Sequence, residues 1–372
     1  MEWSSAAKYN SFNGFKGLTY YENYKAILRW MDGDSYLPSP VEVNLDPIAE
    51  CNLACYFCVG QRYLRDNRVE VGPMRKLPTD YMLRLVDYLA EWGVRGLCIS
   101  GGGEPSLHEG IPAVINQAAH RGMDVALVSN VVAVSPELAE AIMHCRWLAM
   151  SVDAADAETY QTVKGRDSFA SVVSNISRLV ALREQTRSKV DLAFKMLILS
   201  ENTHGIFQAC RLARDLGVQD FHVRPADLER PDVKNHGKRL DDLSRVREQL
   251  EMCHELETDS FHVYTVTHKF DGAFRNQQNF SRCLMTPLLL PILTDGNVYM
   301  CVDKKMQDAY RLASCFPDPE AIGGWWGSNG HRDAVKTILP AVHCAENRCT
   351  GQCYNEQMEQ VVLQDRMCLS FP

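Results

Sequence analysis

From about residue 41 to residue 226 the chain alternates short apolar or β-branched runs with longer segments whose apolar positions recur at helical spacing. That alternation is the pattern of repeated βα units feeding a parallel sheet. Six runs read as strands, at residues 41–45, 96–100, 125–129, 148–152, 192–196 and 221–224. Amphipathic stretches lie between them at 79–92, 110–121, 136–145, 168–184 and 203–216, with Thr79-Asp80 and Ser135-Pro136 as helix starts. Each unit has the spacing of a right-handed crossover. A doubly wound sheet and an incomplete barrel both satisfy this pattern, and in either the chemistry belongs at the C-terminal ends of the strands. A polar stretch near 229–245 leads out of this region. Beyond it come a helix, a β-rich piece near 261–270, and a tail rich in Cys, Gly and Pro.

Composition narrows the function. The 372 residues carry 39 Lys and Arg against 47 Asp and Glu, a net charge of −8. An acidic chain lacks the basic footprint that nucleic acids and anionic membranes reward, so neither is an expected partner. Met1-Glu2-Trp3-Ser4-Ser5 shows no secretory signal, and the most apolar stretch, 284–293, is short and broken by Pro287 and Pro291. A cytoplasmic location is expected. Fourteen cysteines in a reducing compartment then point to metal binding or catalysis rather than disulfides.

Just after the first strand stands Cys51-Asn52-Leu53-Ala54-Cys55-Tyr56-Phe57-Cys58. Three thiolates on one short loop can cap three irons of a cubane cluster, leaving the fourth iron open to a ligand. A structural zinc site is the competing reading, although zinc takes four ligands and no fourth stands nearby in sequence. After the second strand comes Gly101-Gly102-Gly103-Glu104-Pro105, where glycines admit a close ligand and Glu104 can accept from an ammonium. In this order, with Phe57 before the last cysteine, the two motifs resemble those of the radical S-adenosylmethionine (radical SAM) enzymes.

The resemblance implies a partial (β/α)6 TIM-like barrel in which Cys51, Cys55 and Cys58 hold a [4Fe–4S] cluster. Its open iron would chelate S-adenosylmethionine, and one electron from a low-potential donor such as flavodoxin or ferredoxin would release a 5′-deoxyadenosyl radical. Phe57, Gly102, Gly103, Glu104, Asn130, Ser151 and Lys164 are the implied cofactor contacts. Ser151-Val152-Asp153-Ala154 through Lys164-Gly165 is similar to a stretch of those family members that carry an extra cluster domain. Lys195 and Arg224, cations inside apolar strands, are the candidate catalytic residues, with structural ion pairs as competitors. Glu42 and Asn44 are weaker candidates of the same kind.

Downstream, Cys283 and Cys301 flank the turn Thr294-Asp295-Gly296-Asn297, and Cys344, Cys349 and Cys353 follow. This layout is similar to the family's twitch or SPASM extension, implying an auxiliary [4Fe–4S] cluster on Cys283, Cys301 and two of Cys344, Cys349 and Cys353. Structural zinc is the alternative there too, and Cys315 and Cys368 are spare thiols. Cys98, Cys145, Cys210 and Cys253 read as buried small hydrophobes. His262 and His268 form no ligand-spaced pair, and Trp325 and Trp326 read as packing for the small domain, with a substrate lid as the other option.

The expected organisation is an N-terminal extension over 1–40, a barrel over 41–245 and a cluster domain over 246–372. The expected activity is hydrogen abstraction from a hydroxylated small molecule (a sugar, aminocyclitol or nucleoside) in dehydrogenation, epimerisation or radical elimination. Maturation of a ribosomal peptide and a zinc-stabilised binding module are the alternatives.

Overall fold

In the computed structural model, which describes residues 9, 14–60, 64, 75–226, 243–266, 280–344 and 349–363, the six anticipated strands are present and adjacent in chain order. They are β1 (Glu42–Leu45), β2 (Gly96–Ile99), β3 (Asp124–Ser129), β4 (Trp147–Ser151), β5 (Asp191–Ile198) and β6 (Asp220–Pro225). From β2 to β6 every neighbouring pair is parallel. Helices α1 (Thr79–Trp92), α2 (Ile111–His120), α3 (Pro136–Ile142), α4 (Ala157–Lys164), α5 (Phe169–Thr186) and α6 (Ile206–Asp215) make the returns. Strands laid down in chain order with right-handed returns place their helices on a single face, so the other face stays open, as in a partial barrel.

Burial along the strands shows the two faces. Leu148, Met150, Leu192, Phe194, Met196, Phe221 and Val223 are all at most 1% exposed. They meet the apolar stripes of the helices, such as Leu85 and Leu89 of α1 and Ile176 and Leu179 of α5, which are wholly buried. The alternate residues, Cys98, Ala126, Ala149, Ser151, Ala193, Lys195, His222 and Arg224, are small or polar and share the opposite face. Period-2 alternation thus separates a greasy core from a face able to hold a ligand.

The β-rich piece expected near 261–270 supplies a seventh strand of this sheet. β7 (His262–Thr265) pairs parallel with β6, placing Val263 opposite Phe221, and α7 (Leu243–His254) precedes it. The expected boundary at 245 therefore moves. One compact unit comprises Asn44–Thr265 with Leu293–Asp295, and the other comprises Met1–Val43, Val266–Ile292 and Gly296–Pro372. The physical reason is that Val246, Leu250 and Cys253 of α7 are buried and Val263 prolongs the sheet's core face.

The other unit joins both chain ends, so residues 1–40 are no separate extension. Tyr24, Ile27, Trp30 and Met31 of the helix Tyr21–Asp32 share one core with Leu284, Leu288, Val335, Tyr354 and Met358. Here β8 (Leu289–Ile292), β9 (Asn297–Tyr299) and β10 (Arg311–Ser314) form an antiparallel meander containing the anticipated hairpin. Trp30, Trp325 and Trp326 surround the His331 ring at 4.9, 4.2 and 4.6 Å, and burial pushes that imidazole down to about 3. Both Trp325 and Trp326 are thus packing residues. Among the described residues no helix is long and apolar enough to cross a membrane.

Helix α4 depends on its cap: Asp156 Oδ1 accepts from the Thr159 amide at 2.8 Å and Oδ2 from the Thr159 hydroxyl at 2.9 Å. Asp156→Ala is expected to cost about 1 kcal/mol, by analogy with other N-caps, measured by denaturant unfolding. An unchanged midpoint would contradict that role.

Candidate active site

The three-cysteine loop follows β1 and carries partly exposed thiols at Cys51, Cys55 and Cys58. Two sulfurs accept backbone amides, Cys51 from Leu53 at 3.4 Å and Cys58 from Gly60 at 3.3 Å. Burial, with neighbouring thiols adding to it, pushes the Cys51 thiol up to about 11 and the Cys55 thiol up to about 12. A metal that binds them must therefore displace protons and compensate the burial of charge. Backbone N–H bonds to sulfur are the usual means of stabilising cluster thiolates.

Three strand ends and the end of α4 hold this loop. Behind it the Glu104 amide donates to the Glu50 carbonyl at 2.7 Å. At Gly103 an added Cβ would lie 2.3 Å from the Ile48 carbonyl oxygen and 2.5 Å from that of Glu50, so only glycine allows this approach. From the end of β3, Asn130 Nδ2 donates to Asn52 Oδ1 at 2.7 Å and stands 3.9 Å from Cys51 Sγ. From the end of α4, the Lys164 carbonyl accepts the Ala54 amide at 2.9 Å. There Gly165 adopts φ +71°, and a side chain would collide with the Ala54 carbonyl. Beyond β5, Glu201 Oε2 accepts from the Tyr56 hydroxyl at 2.5 Å and from Ser200 Oγ at 2.8 Å.

Several anticipated contacts take other partners. Glu104, expected to receive an ammonium, is buried and accepts from Ser129 Oγ (2.7 Å), the Asn130 amide (2.7 Å) and the Ser106 amide (3.0 Å). Its carboxylate fastens the second strand end to the third. Burial raises its pKa against the lowering by these donors. Lys164, expected to reach a carboxylate of the cofactor, is 2% exposed and paired with Asp153. Burial opposes the charge on Lys164, but Asp153 and Cys55 outweigh it and raise its pKa. Its ammonium lies 5.5 Å above the Phe57 ring, which packs with Val163, Leu199 and Ala226. Gly102 donates its amide to Asp46 Oδ2 at 3.0 Å. Asn44 exchanges hydrogen bonds with Ser100 at 3.0 and 3.2 Å, and Glu42 is half-buried and interacts electrostatically with Lys16, so neither behaves as a substrate ligand.

Asp153 itself was missed, although the Ser151-Val152-Asp153-Ala154 passage was noticed. It sits at φ +63°, uncommon for a residue with a side chain. There Oδ1 accepts the Leu197 amide at 2.6 Å, and the Asp153 carbonyl accepts from Asn202 Nδ2 at 2.8 Å. His222 was also missed: its Nδ1 lies 2.8 Å from Lys195 Nζ across the β5–β6 register. Ser151 is the register partner of Lys195 on the other side. Burial, with Arg224 adding to it, pushes Lys195 down to about 7, while Asp220 and Cys98 work the other way.

In the second unit, Cys283, Cys301 and Cys349 line one small cavity, together with Met285, Met300 and Asn355. Cys283 Sγ accepts from Asn355 Nδ2 at 3.5 Å and Cys301 Sγ from the Asp303 amide at 3.4 Å. Burial raises the Cys301 and Cys349 thiols, and Asp303, Cys283 and Cys344 add to the effect on both. Of the three downstream candidates, Cys349 lines that cavity, and burial, with Cys283 adding to it, pushes the Cys344 thiol up to about 11. Cys353 is fully buried and is not among the residues lining the cavity, and Cys315 bonds to the Gly296 carbonyl. Cys98, Cys145, Cys210 and Cys253 are buried as expected. His262 lies 3.4 Å from Asp220, and His268 and Cys368 lie outside the described residues. Among the described residues no three His, Cys, Asp or Glu side chains converge on a single-ion site.

Residues 46–190, the segment that contains the cysteine loop and all its clamps but Glu201, match the Radical SAM superfamily. That segment of the chain is therefore a radical SAM domain. It is similar to the AdoMet-dependent heme synthase of Methanosarcina barkeri, at 28% identity over 179 residues, covering 47% of each chain. It is also similar to an S-adenosylmethionine-dependent nucleotide dehydratase of Flammeovirga pacifica, at 28% identity over 134 residues, covering 36% of this chain and 44% of that one. The chain thus spans about half or less of these relatives. Its fold is similar to that of Streptococcus suis SuiB bound to precursor peptide SuiA, with a TM-score of 0.65 at 14% identity, covering 92% of this chain and 75% of that one.

Two outcomes follow from this geometry. Asp153→Asn leaves Lys164 buried without its counter-charge and is expected to cost about 3–5 kcal/mol in unfolding; a loss below about 1 kcal/mol, the range of exposed pairs, would contradict the buried pair. For Lys195, the unfolded chain keeps the proton up to about 10.5 and the folded chain only to about 7, so the unfolded state holds more protons between these values. Folding stability of the apoprotein is expected to rise with pH across that window, and this increment should vanish in Lys195→Met. Parallel profiles for the two proteins would refute it.

Proposed function

We propose that the protein binds S-adenosylmethionine at a [4Fe–4S] cluster held by Cys51, Cys55 and Cys58 and abstracts hydrogen from a hydroxylated small molecule, such as a sugar, aminocyclitol or nucleoside. The observation that carries this reading is the loop itself, three partly exposed thiols held over the strand ends with an amide on two of the sulfurs. The donor set suits a cubane with one open iron. When bound, the cluster and its ligand supply a one-electron cleavage of the sulfonium and a carbon radical that takes hydrogen from the substrate.

The chain's own residues orient and shield that chemistry. Gly102 and Gly103 keep the wall behind the loop thin, and Asn130 holds Asn52 beside Cys51. Phe57, Val163 and Leu199 form an apolar wall that keeps water from the loop. Ser151, Lys195 and Arg224, on the open face of the sheet, hold substrate oxygens. Cys283, Cys301, Cys344 and Cys349 carry an auxiliary [4Fe–4S] cluster, with structural zinc as the competing occupant. A low-potential donor of the flavodoxin or ferredoxin kind supplies the electron, in a reducing, cytoplasmic setting.

A second reading, maturation of a ribosomal peptide, has support from the likeness to SuiB, solved with its precursor peptide. A small molecule is favoured because the polar groups of the open face gather at Ser151, Lys195, His222 and Arg224 rather than along an extended groove. Binding of a leader peptide would reverse that preference.

The test is anaerobic reconstitution followed by dithionite. The protein should be brown, contain iron and acid-labile sulfide, and release 5′-deoxyadenosine. Cys55→Ala should reduce that release to the level without protein while remaining soluble. Colourless protein with stoichiometric zinc, or retained cleavage in Cys55→Ala, would overturn the assignment.

A further inference from the structure

Two latches hold the thiols of the second unit. Cys283 stands between Ser281, whose amide and hydroxyl donate to Glu359 at 3.0 and 3.1 Å, and Leu284, whose amide donates to Asn355 Oδ1 at 2.8 Å. The other end of that side chain, Asn355 Nδ2, donates to Cys283 Sγ at 3.5 Å. Cys301 is held by Asp303: its amide donates to the sulfur at 3.4 Å, and its carboxylate accepts from the Thr350 amide and hydroxyl at 2.7 and 2.9 Å, next to Cys349. Besides burial, the Asp303 carboxylate raises the Cys301 and Cys349 thiols, so its field reaches both. Asn355 is 1% exposed and lies within the helix Gln352–Met358. Asparagine is a poor helix former and a buried amide is costly, so an apolar residue would serve packing better there. Thr286, which lines the same cavity, has a buried hydroxyl without a hydrogen-bond partner. An orphaned hydroxyl beside three thiols suits a sulfur-rich occupant, whose inorganic sulfides accept hydrogen bonds that a lone zinc ion does not.

Reduction adds one electron to an iron–sulfur cluster, so an N–H donor at its sulfur favours the reduced form and a carboxylate beside it disfavours that form. We infer that Asn355 and Asp303 are positioning residues that hold Cys283 and Cys301 for the auxiliary cluster and set its reduction potential in opposite directions, Asn355 upward and Asp303 downward. This rests on the auxiliary cluster proposed above. It goes beyond that reading by assigning the control of the centre to two side chains that are not ligands.

The experiment uses the full chain with Cys51, Cys55 and Cys58 replaced by alanine, reconstituted anaerobically, so that any cluster it holds is the auxiliary one. Its midpoint potential is read by a dye-mediated titration followed through the EPR signal of the reduced form. Two isosteric substitutions are compared in this background. Asn355→Asp keeps the acceptor for the Leu284 amide, and Asp303→Asn keeps an acceptor for the Thr350 amide. At a fixed potential Asn355→Asp should lower the ratio of reduced to oxidised cluster about tenfold, equivalent to about 59 mV for one electron, and Asp303→Asn should raise it by about as much. Asn355→Leu, which removes the donor without adding charge, should lower it by less. A purely structural role would reduce cluster content or stability and leave the potential of the remaining cluster where it was. If the cluster resists reduction, resonance Raman of the oxidised form decides: the Fe–S(Cys) stretch should rise in Asn355→Leu, and an unchanged stretch overturns the inference. Unmoved potentials, shifts of one sign in both isosteric variants, or loss of the cluster from both overturn the inference alone. A parent protein that holds zinc and no iron overturns the auxiliary cluster and this inference with it.

Discussion

A loop of eight residues that must present three thiols at fixed positions cannot do so by its own secondary structure, so everything at this site depends on what clamps its backbone. The clamps are hydrogen bonds from beyond the ends of β2, β3 and β5 and from the end of α4, made through Glu50, Asn52, Ala54 and Tyr56. The loop alternates residues that are held with residues that carry sulfur. Backbone fixed in this way loses its conformational freedom at folding rather than when a cluster binds, which is the general advantage of preorganisation.

The clamps are themselves fixed by buried charge. Glu104 ties the end of β2 to that of β3, and Asp153 ties the ends of β4 and β5 to the Lys164 ammonium under the Phe57 ring. Polar groups this deep are costly, and they persist because each is satisfied several times over. Cationic side chains here therefore divide into two classes. Lys164 has a dedicated buried partner and stabilises the frame, whereas Lys195 has a neighbouring imidazole and a neighbouring guanidinium and is poised to change protonation. The distinction is electrostatic and concerns the partner, not the residue type.

Most of the frame was legible in the sequence, because period-2 apolar runs separated by helical stretches allow few topologies. The six strands and the cysteine loop were readable for that reason. The β-rich character of 261–270 was readable too, but not the place of β7 in this sheet, which shows only once Val263 lies opposite Phe221. The union of the helix Tyr21–Asp32 with residues near 284 and 354 was equally invisible, because local periodicity does not say which distant segment covers an apolar stripe. In the site, residue type suggested Glu104 and Lys164 as ligands. Their commitment to Ser129, Asn130 and Asp153 depends on contacts across 11 to 26 positions in the chain. Conversely His222 carried no spacing signal and gained its meaning from a register with Lys195.

On the proposed reading one iron of the N-terminal cluster has no protein ligand. The most direct measurement is the Mössbauer spectrum of ⁵⁷Fe-reconstituted protein before and after addition of S-adenosylmethionine. One iron site should separate from the rest on addition, and the Cys51, Cys55, Cys58 triple alanine variant should show no such response. A spectrum that ignores the ligand, or a response that survives in the triple variant, would contradict it.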